Sequence, residues 1–187
     1  MSFNLTLAEY ASAEEKSAVT HELFLVLGSS FLIALSAQIA VGWPVPVTGQ
    51  TFSILLIAAI LGSKRASLAV FAYICEGLIG LPVFAQFKAG IPALLGSTGG
   101  YILGFLAAAF VVGFLAERIR DGSNIKIFFA MLAGLIVIYT LGILWLGIVL
   151  KGANFLTVLK AGLFPFIPYE IIKIALALTI VRIMKPI

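Results

Sequence analysis

Charged residues are scarce in this chain: 11% of its 187 residues are charged, against 62% hydrophobic. A water-soluble domain carries about 25% charged residues. Too little polar surface is present here to cover a globule in water. One cysteine, Cys75, and one histidine, His21, are present. That excludes an intramolecular disulfide, a thiolate metal site and a His/Cys cluster. No Gly-Lys-[Ser/Thr] phosphate loop occurs, which excludes Walker-type ATP hydrolysis by this chain. His-Glu-x-x-His, paired aspartates on two helices and a nucleophile beside a base are all missing. An enzyme is therefore not expected, and neither is a cofactor or a metal. The net charge is +4. The cations are scattered singly between apolar runs, with no basic stripe interleaved with aromatics, so nucleic-acid binding is not expected. Met1 to Thr20 holds Glu9, Glu14 and Glu15 but only Lys16, the wrong charge order for a signal peptide. Residues 1–21 read as a short interfacial helix or loose arm, followed by one domain over 22–187.

What is abundant is apolar sequence. A spanning helix needs about 20 apolar residues to cross a core roughly 30 Å thick. The runs are Glu22 to Val41, Thr51 to Leu61, Ala66 to Leu81, Gly99 to Ala116, Ile127 to Leu150, and a last one that starts between Ala161 and Pro168 and reaches Met184. The predicted fold is an all-α integral membrane protein with six transmembrane helices. Pro44 and Pro46 keep Gly42 to Gln50 out of regular helix. Trp43 in that segment reads as an interfacial anchor. The segment Pro82 to Thr98 is a second long loop.

Loop charges set the orientation. Lys16, Lys64, Arg65, Arg118, Arg120, Lys126, Arg182 and Lys185 fall on the side of the N-terminus. Lys88, Lys151 and Lys160 fall on the other. This asymmetry predicts both termini in the cytoplasm of a multi-pass cell-membrane protein. The second run is short: from Val47 to Gly62 it measures about 24 Å at 1.5 Å per residue. The Trp43–Gln50 segment is thus expected to dip below the outer surface, where irregular backbone must pack in protein or line a cavity. Two irregular loops on one face predict a lidded pocket open to the outside.

Polar residues inside the apolar runs are the candidate site. Lys173 is followed by Ile174-Ala175-Leu176-Ala177-Leu178. An ammonium at the centre of a membrane helix costs about 2.5–3.5 kcal/mol. Glu170 lies at i−3 on the same helix face, and Pro168 is placed to begin that helix. The positive end of the helix and the lysine together suit an anionic ligand group. A structural Glu–Lys pair, or a lysine snorkelling outward, fits the same spacing. Glu76 has no lysine within a turn and needs a partner from another helix or a proton. Gly96-Ser97-Thr98-Gly99-Gly100-Tyr101 opens the fourth run. Its glycines let backbone approach a ligand, or simply start the helix. Thr48 and Gln50 close the first loop with neutral donors and acceptors. The candidate substrate-binding set is Lys173, Glu170, Gln50, Thr48, Tyr101, Thr98, Glu76 and Tyr73. Small residues at four-residue spacing, Ser30 with Ala34 and Ser36 with Ala40, suit close helix approach and mark a candidate face for docking a partner subunit.

The sequence resembles the BioY family, the biotin-specific substrate-binding (S) components of energy-coupling-factor transporters. The resemblance is carried by Pro44-Val45-Pro46-Val47-Thr48-Gly49-Gln50-Thr51-Phe52, Leu61-Gly62-Ser63-Lys64-Arg65, Glu76-Gly77-Leu78-Ile79-Gly80-Leu81-Pro82-Val83-Phe84-Ala85, Gly96 to Tyr101, and Gly162 through Lys173. It runs from about Leu23 to the C-terminus. It implies a six-helix fold that holds biotin near the outer face of the bilayer, with Lys173 and Glu170 contributing to the site and Val45 to Gln50 as a cover. The family commonly has Gly-Asp where Tyr169-Glu170 stand here. Biotin would offer its carboxylate to Lys173 and its ureido group to Gln50, Thr98, Tyr101 or Glu170. The implied partners are a transmembrane coupling (T) subunit and two ATP-binding cassette ATPases. The alternative is a stand-alone secondary carrier for biotin or another small organic anion, with Glu76 as a proton site.

Overall fold

The computed structural model describes the backbone of residues 2–42, 44–119 and 121–184, and side chains from Ala18 onward within those ranges. The anchor role of Trp43 and the topological charges of Lys16, Arg120 and Lys185 lie outside the described residues or side chains.

Helix α1 spans Ser2–Ala37. The helix of the first apolar run therefore extends back through the stretch read as an arm. It stops before Ala40, which belongs instead to a minimal hairpin of β1 (Ala40–Val41) and β2 (Val47–Thr48), paired Ala40 with Thr48 and Val41 with Val47. Pro44 and Pro46 sit in the hairpin's loop, where no ladder N–H is needed.

Helix α2 is Gln50–Leu78 by backbone hydrogen bonding. It is not one rod. Gln50 Nε2 donates to the Tyr73 hydroxyl at 2.7 Å, whereas a straight helix would set these residues about 34 Å apart. The chain doubles back at Gly62, whose φ of 81° and ψ of 178° fall in a region open almost only to glycine. The two arms match the second and third apolar runs. Glu117 secures the turn: its Oε1 accepts the Ser63 N–H at 2.6 Å and the Ser63 hydroxyl at 3.0 Å. A carboxylate here also meets the positive start of the second arm. Arg65, one turn on, pairs with Glu22 of α1.

The second arm ends at Leu78, not Leu81. Gly80, at φ 103°, lets the chain turn off. Leu81 N–H reaches Glu76 O at 3.1 Å and Gly80 N–H reaches Gly77 O at 3.2 Å, the paired bonds of a glycine-terminated helix. The outer loop that follows is more ordered than a bare loop. It holds a 3₁₀ turn at Ala85–Phe87 and the short α3, Gly90–Leu95. Helix α4 is Gly99–Ala116 and α5 is Asn124–Val149. In the loop between them the Lys126 ammonium bonds Asp121 at 2.6 Å and, with the Ser123 N–H, holds that carboxyl below the usual carboxylate range. Helix α6, Phe155–Gly162, was not anticipated. Asn154 caps it by accepting the Thr157 N–H at 2.8 Å. Helix α7 is Ile167–Met184, with Pro168 in its first turn as expected.

Among the described residues four helices are long and apolar enough to cross a membrane, and the pair α6–α7, bent by 41°, reaches that length and hydropathy only when counted as one broken span. Helix α4 packs mainly on α5 and α2, α1 packs on α2, and α7 lies chiefly on α2. Phe24, Phe31, Phe110, Phe129, Ile136 and Leu144 point outward, as a fold dissolved in lipid allows.

Candidate functional site

A cavity of about 590 Å³, part of it open to solvent, lies beneath the β1–β2 loop and the Pro82–Thr98 loop. The charged part of its wall comes from the first turns of α7. Lys173 Nζ donates to Glu170 Oε1 at 2.7 Å and to Thr51 Oγ1 at 2.8 Å. The Thr51 hydroxyl donates to Glu170 Oε1 at 2.9 Å, and the Tyr139 hydroxyl donates to the same oxygen at 3.1 Å. Three donors from α2, α5 and α7 thus converge on one carboxylate oxygen. Glu170 is 4% exposed. Its second oxygen, Oε2, is buried and has no protein donor. An ion pair this far from water is stable only when its remaining lone pairs are met.

The neutral part of the wall comes from the hairpin and the start of α2. Thr48 Oγ1 donates to Gln50 Oε1 at 2.9 Å, and Gln50 Nε2 is held by Tyr73. Rings close the rest. Tyr101 stacks on Phe166 at 6.4 Å between centroids, and Tyr139 meets both edge-on at 6.0 and 5.7 Å. The Tyr101 hydroxyl is tied to Gly162 O at 2.8 Å, which fixes its ring against the cavity.

Lys173, Glu170, Gln50, Thr48, Tyr101 and Thr98 are brought together on this cavity. Tyr73 stands behind Gln50 and orients it. Glu76 is elsewhere: it accepts the Ser30 hydroxyl at 2.7 Å across α1 and α2 and does not line the cavity. The small-residue face of α1 is not open for docking. Ser30, Ala34 and Ser36 are buried inside this chain, and Ala40 has left the helix for β1. The glycines opening α4 likewise serve packing. A side chain at Gly100 would run into Trp145 and the Leu141 backbone of α5. Sequence reasoning missed Thr51, Tyr139 and Phe166. Thr51 adjoins Gln50, and Tyr139 is a hydroxyl in the middle of an apolar run. Both signals point to a buried polar partner only once the neighbouring helices are known.

Known proteins resemble this chain in sequence and in overall fold. The sequence model described as BioY family matches residues 9–187. The biotin transporter BioY of Thermotoga maritima is 39% identical over 155 residues, covering 82% of this chain and 89% of that protein. The probable biotin transporter BioY of Pyrococcus horikoshii is 39% identical over 160 residues, covering 85% and 93%. The crystal structure of the S-component for biotin from an ECF-type ABC transporter superposes with a TM-score of 0.80 at 28% identity, covering 90% of this chain and 92% of that one.

Proposed function

Because the chain belongs to the BioY family, we propose that it is the biotin-binding S component of an energy-coupling-factor transporter and that the cavity under the two outer loops is its biotin site. It is a transporter component and not an enzyme. The observation that carries the site is Glu170 Oε2, a buried acceptor without a donor, beside an ammonium that is 13% exposed.

The geometry favours one end of biotin at this pair. Glu170 and Lys173 touch, so one ligand group meets both. A carboxylate placed on Lys173 would face the Glu170 carboxylate at close range, and like charges repel strongly out of water. A ureido group offers N–H donors and a carbonyl acceptor along one edge. Its N–H answers Glu170 Oε2 and its carbonyl answers Lys173 Nζ. Tyr101, Tyr139 and Phe166 then flank the fused rings. The carboxylate lies at the far end of the molecule, toward the exposed Lys88 on the cavity rim.

In this reading the polypeptide crosses the cell membrane six times. The fold-back at Gly62 supports counting α2 as two crossings. The loop cations support cytoplasmic termini. Residues 1–21, which carry the first part of α1, precede the binding domain, 22–187. A coupling subunit and two ABC ATPases supply the energy this chain lacks.

A biotin titration of detergent-purified protein tests the site. Lys173→Ala is expected to weaken binding by about 100-fold or more, since truncating one partner of a buried charge pair costs about 2–5 kcal/mol. Unchanged affinity in a folded Lys173→Ala protein would place the site elsewhere.

A further inference from the structure

The rim of the cavity is carried by a strained turn. Gln86 (φ 61°, ψ 36°) and Phe87 (φ 56°) are the non-glycine residues with left-handed backbone among the described residues. Side chains crowd the neighbouring carbonyl in that conformation, and a phenylalanine has no polar group with which to offset it. The turn closes on itself through Phe84 N–H to Lys88 O at 3.0 Å and a longer bond from Lys88 N–H to Ala85 O at 3.4 Å, and a side chain outside it adds to that hold. Gln38, just past the end of α1, reaches it from both sides. Its Oε1 accepts the Phe87 N–H at 3.0 Å, while its Nε2 faces Val83 O and Phe84 O, each at 3.3 Å. The same Nε2 also faces Ala34 O at 3.2 Å. Two N–H groups serve three carbonyls, so each of these bonds is long and shared. The turn delivers Phe84, Ala85 and Lys88 to the cavity wall. Phe84 is seated by its ring against Gly77, where any side chain would overlap it, and edge-on to Tyr73 at 5.5 Å.

We propose that Gln38 is a positioning residue that latches the Pro82–Lys88 loop closed over the ligand, against strain stored in Gln86–Phe87. This rests on the biotin reading of the cavity. The latch acts on release: when its shared bonds part, the left-handed pair relaxes and the rim lifts. The strain makes the loop dependent on Gln38, and glycine at both turn positions removes that dependence.

The test uses full-length purified protein and labelled biotin. Gln38→Ala is expected to speed dissociation about tenfold with little change in association, the size of one or two lost hydrogen bonds. In a Gln86→Gly/Phe87→Gly background the same substitution is expected to change dissociation by less than about threefold. Amide exchange at Phe87 in the ligand-free protein is expected to quicken in Gln38→Ala. Dissociation that does not change, an equal acceleration in both backgrounds, or an unaltered Phe87 amide would overturn the latch. Failure of the underlying site is seen separately: the wild type would then hold no biotin, or would hold it unchanged after Lys173→Ala, and the lid would fall with it.

Discussion

Glu170 carries an unequal load: Oε1 takes three donors and Oε2 takes none. A carboxylate used only to neutralise Lys173 would gain nothing by leaving one oxygen dry. The inequality separates two roles that substitutions can pull apart. Glu170→Gln leaves a buried ammonium with Thr51 as its main partner, and breaking such a pair costs about 3–5 kcal/mol. The expected result is a clear fall in the thermal midpoint in detergent, together with lost biotin binding. Glu170→Gln combined with Lys173→Met removes the charge as well. Replacing both members of a buried pair is close to neutral, so the midpoint is expected to recover while biotin binding does not. A double variant that still binds biotin would reduce the pair to a structural role. At this scale the sequence was legible where a residue was costly in its setting. A lysine followed by Ile174-Ala175-Leu176 stands out by itself. Thr51 and Tyr139 do not, because a hydroxyl in an apolar run is inexpensive and its partner is set by which helices meet. Glu76 was costly too, yet its partner proved to be Ser30. Cost marks a buried polar contact without saying whether a ligand shares it.

The elements depend on a few backbone positions. The hairpin of α2 turns on Gly62, and both the Gln50–Tyr73 bond and the placement of Thr51 beside Lys173 require that turn. Gly62→Ala forces a side chain into a backbone region costing about 1–3 kcal/mol, and the added carbon also overlaps the Glu117 carboxylate. Gly62→Ala is expected to lower the thermal midpoint and weaken biotin binding together, since the first arm carries Gln50 and Thr51. Glu117→Ala leaves the glycine free and removes only the cap. Losing a capping side chain costs about 0.5–2 kcal/mol, so a smaller midpoint shift with near-normal biotin affinity is expected. Equal affinity losses in the two variants would mean that the turn is not the organising element. The apolar runs exposed these helices well, and Gly62-Ser63-Lys64-Arg65 marked the break between them. The end at Leu78 was read three residues late, at Leu81, because Ile79, Gly80 and Leu81 carry the apolar run on to Pro82. Helix α6 escaped because a short amphipathic segment beside a bent partner has no spanning length to show. The β1–β2 hairpin escaped because two paired residues a side leave no alternation in the sequence.

At the scale of the molecule, the candidate site and the Gly62 turn lie at opposite ends of the two arms of α2. The cavity is roofed by two loops on one face. At the other end of α2 the Gly62 turn is closed by Glu117 and by Arg65 with Glu22. The loop pattern that predicted a lidded pocket was legible because prolines and glycines interrupt the apolar sequence over two long segments, with Pro44 and Pro46 in one and Pro82, Gly90 and Pro92 in the other. The docking face was not legible, because small residues at four-residue spacing describe a close contact without naming the other side, and here the other side is α2 of the same chain. Glu76, the proton site a secondary carrier would use, is fixed to Ser30 and stands apart from the cavity. A proton on Glu76 would share no side chain with the ligand, and coupling requires that each bind differently to the two states of the carrier. Purified protein in liposomes is therefore expected to bind biotin at its outer face without accumulating it, whether or not a proton gradient is imposed. Accumulation is expected when a coupling subunit, its two ATPases and ATP are supplied together. Uphill uptake driven by the gradient alone, and abolished by Glu76→Gln, would instead make this chain a secondary carrier.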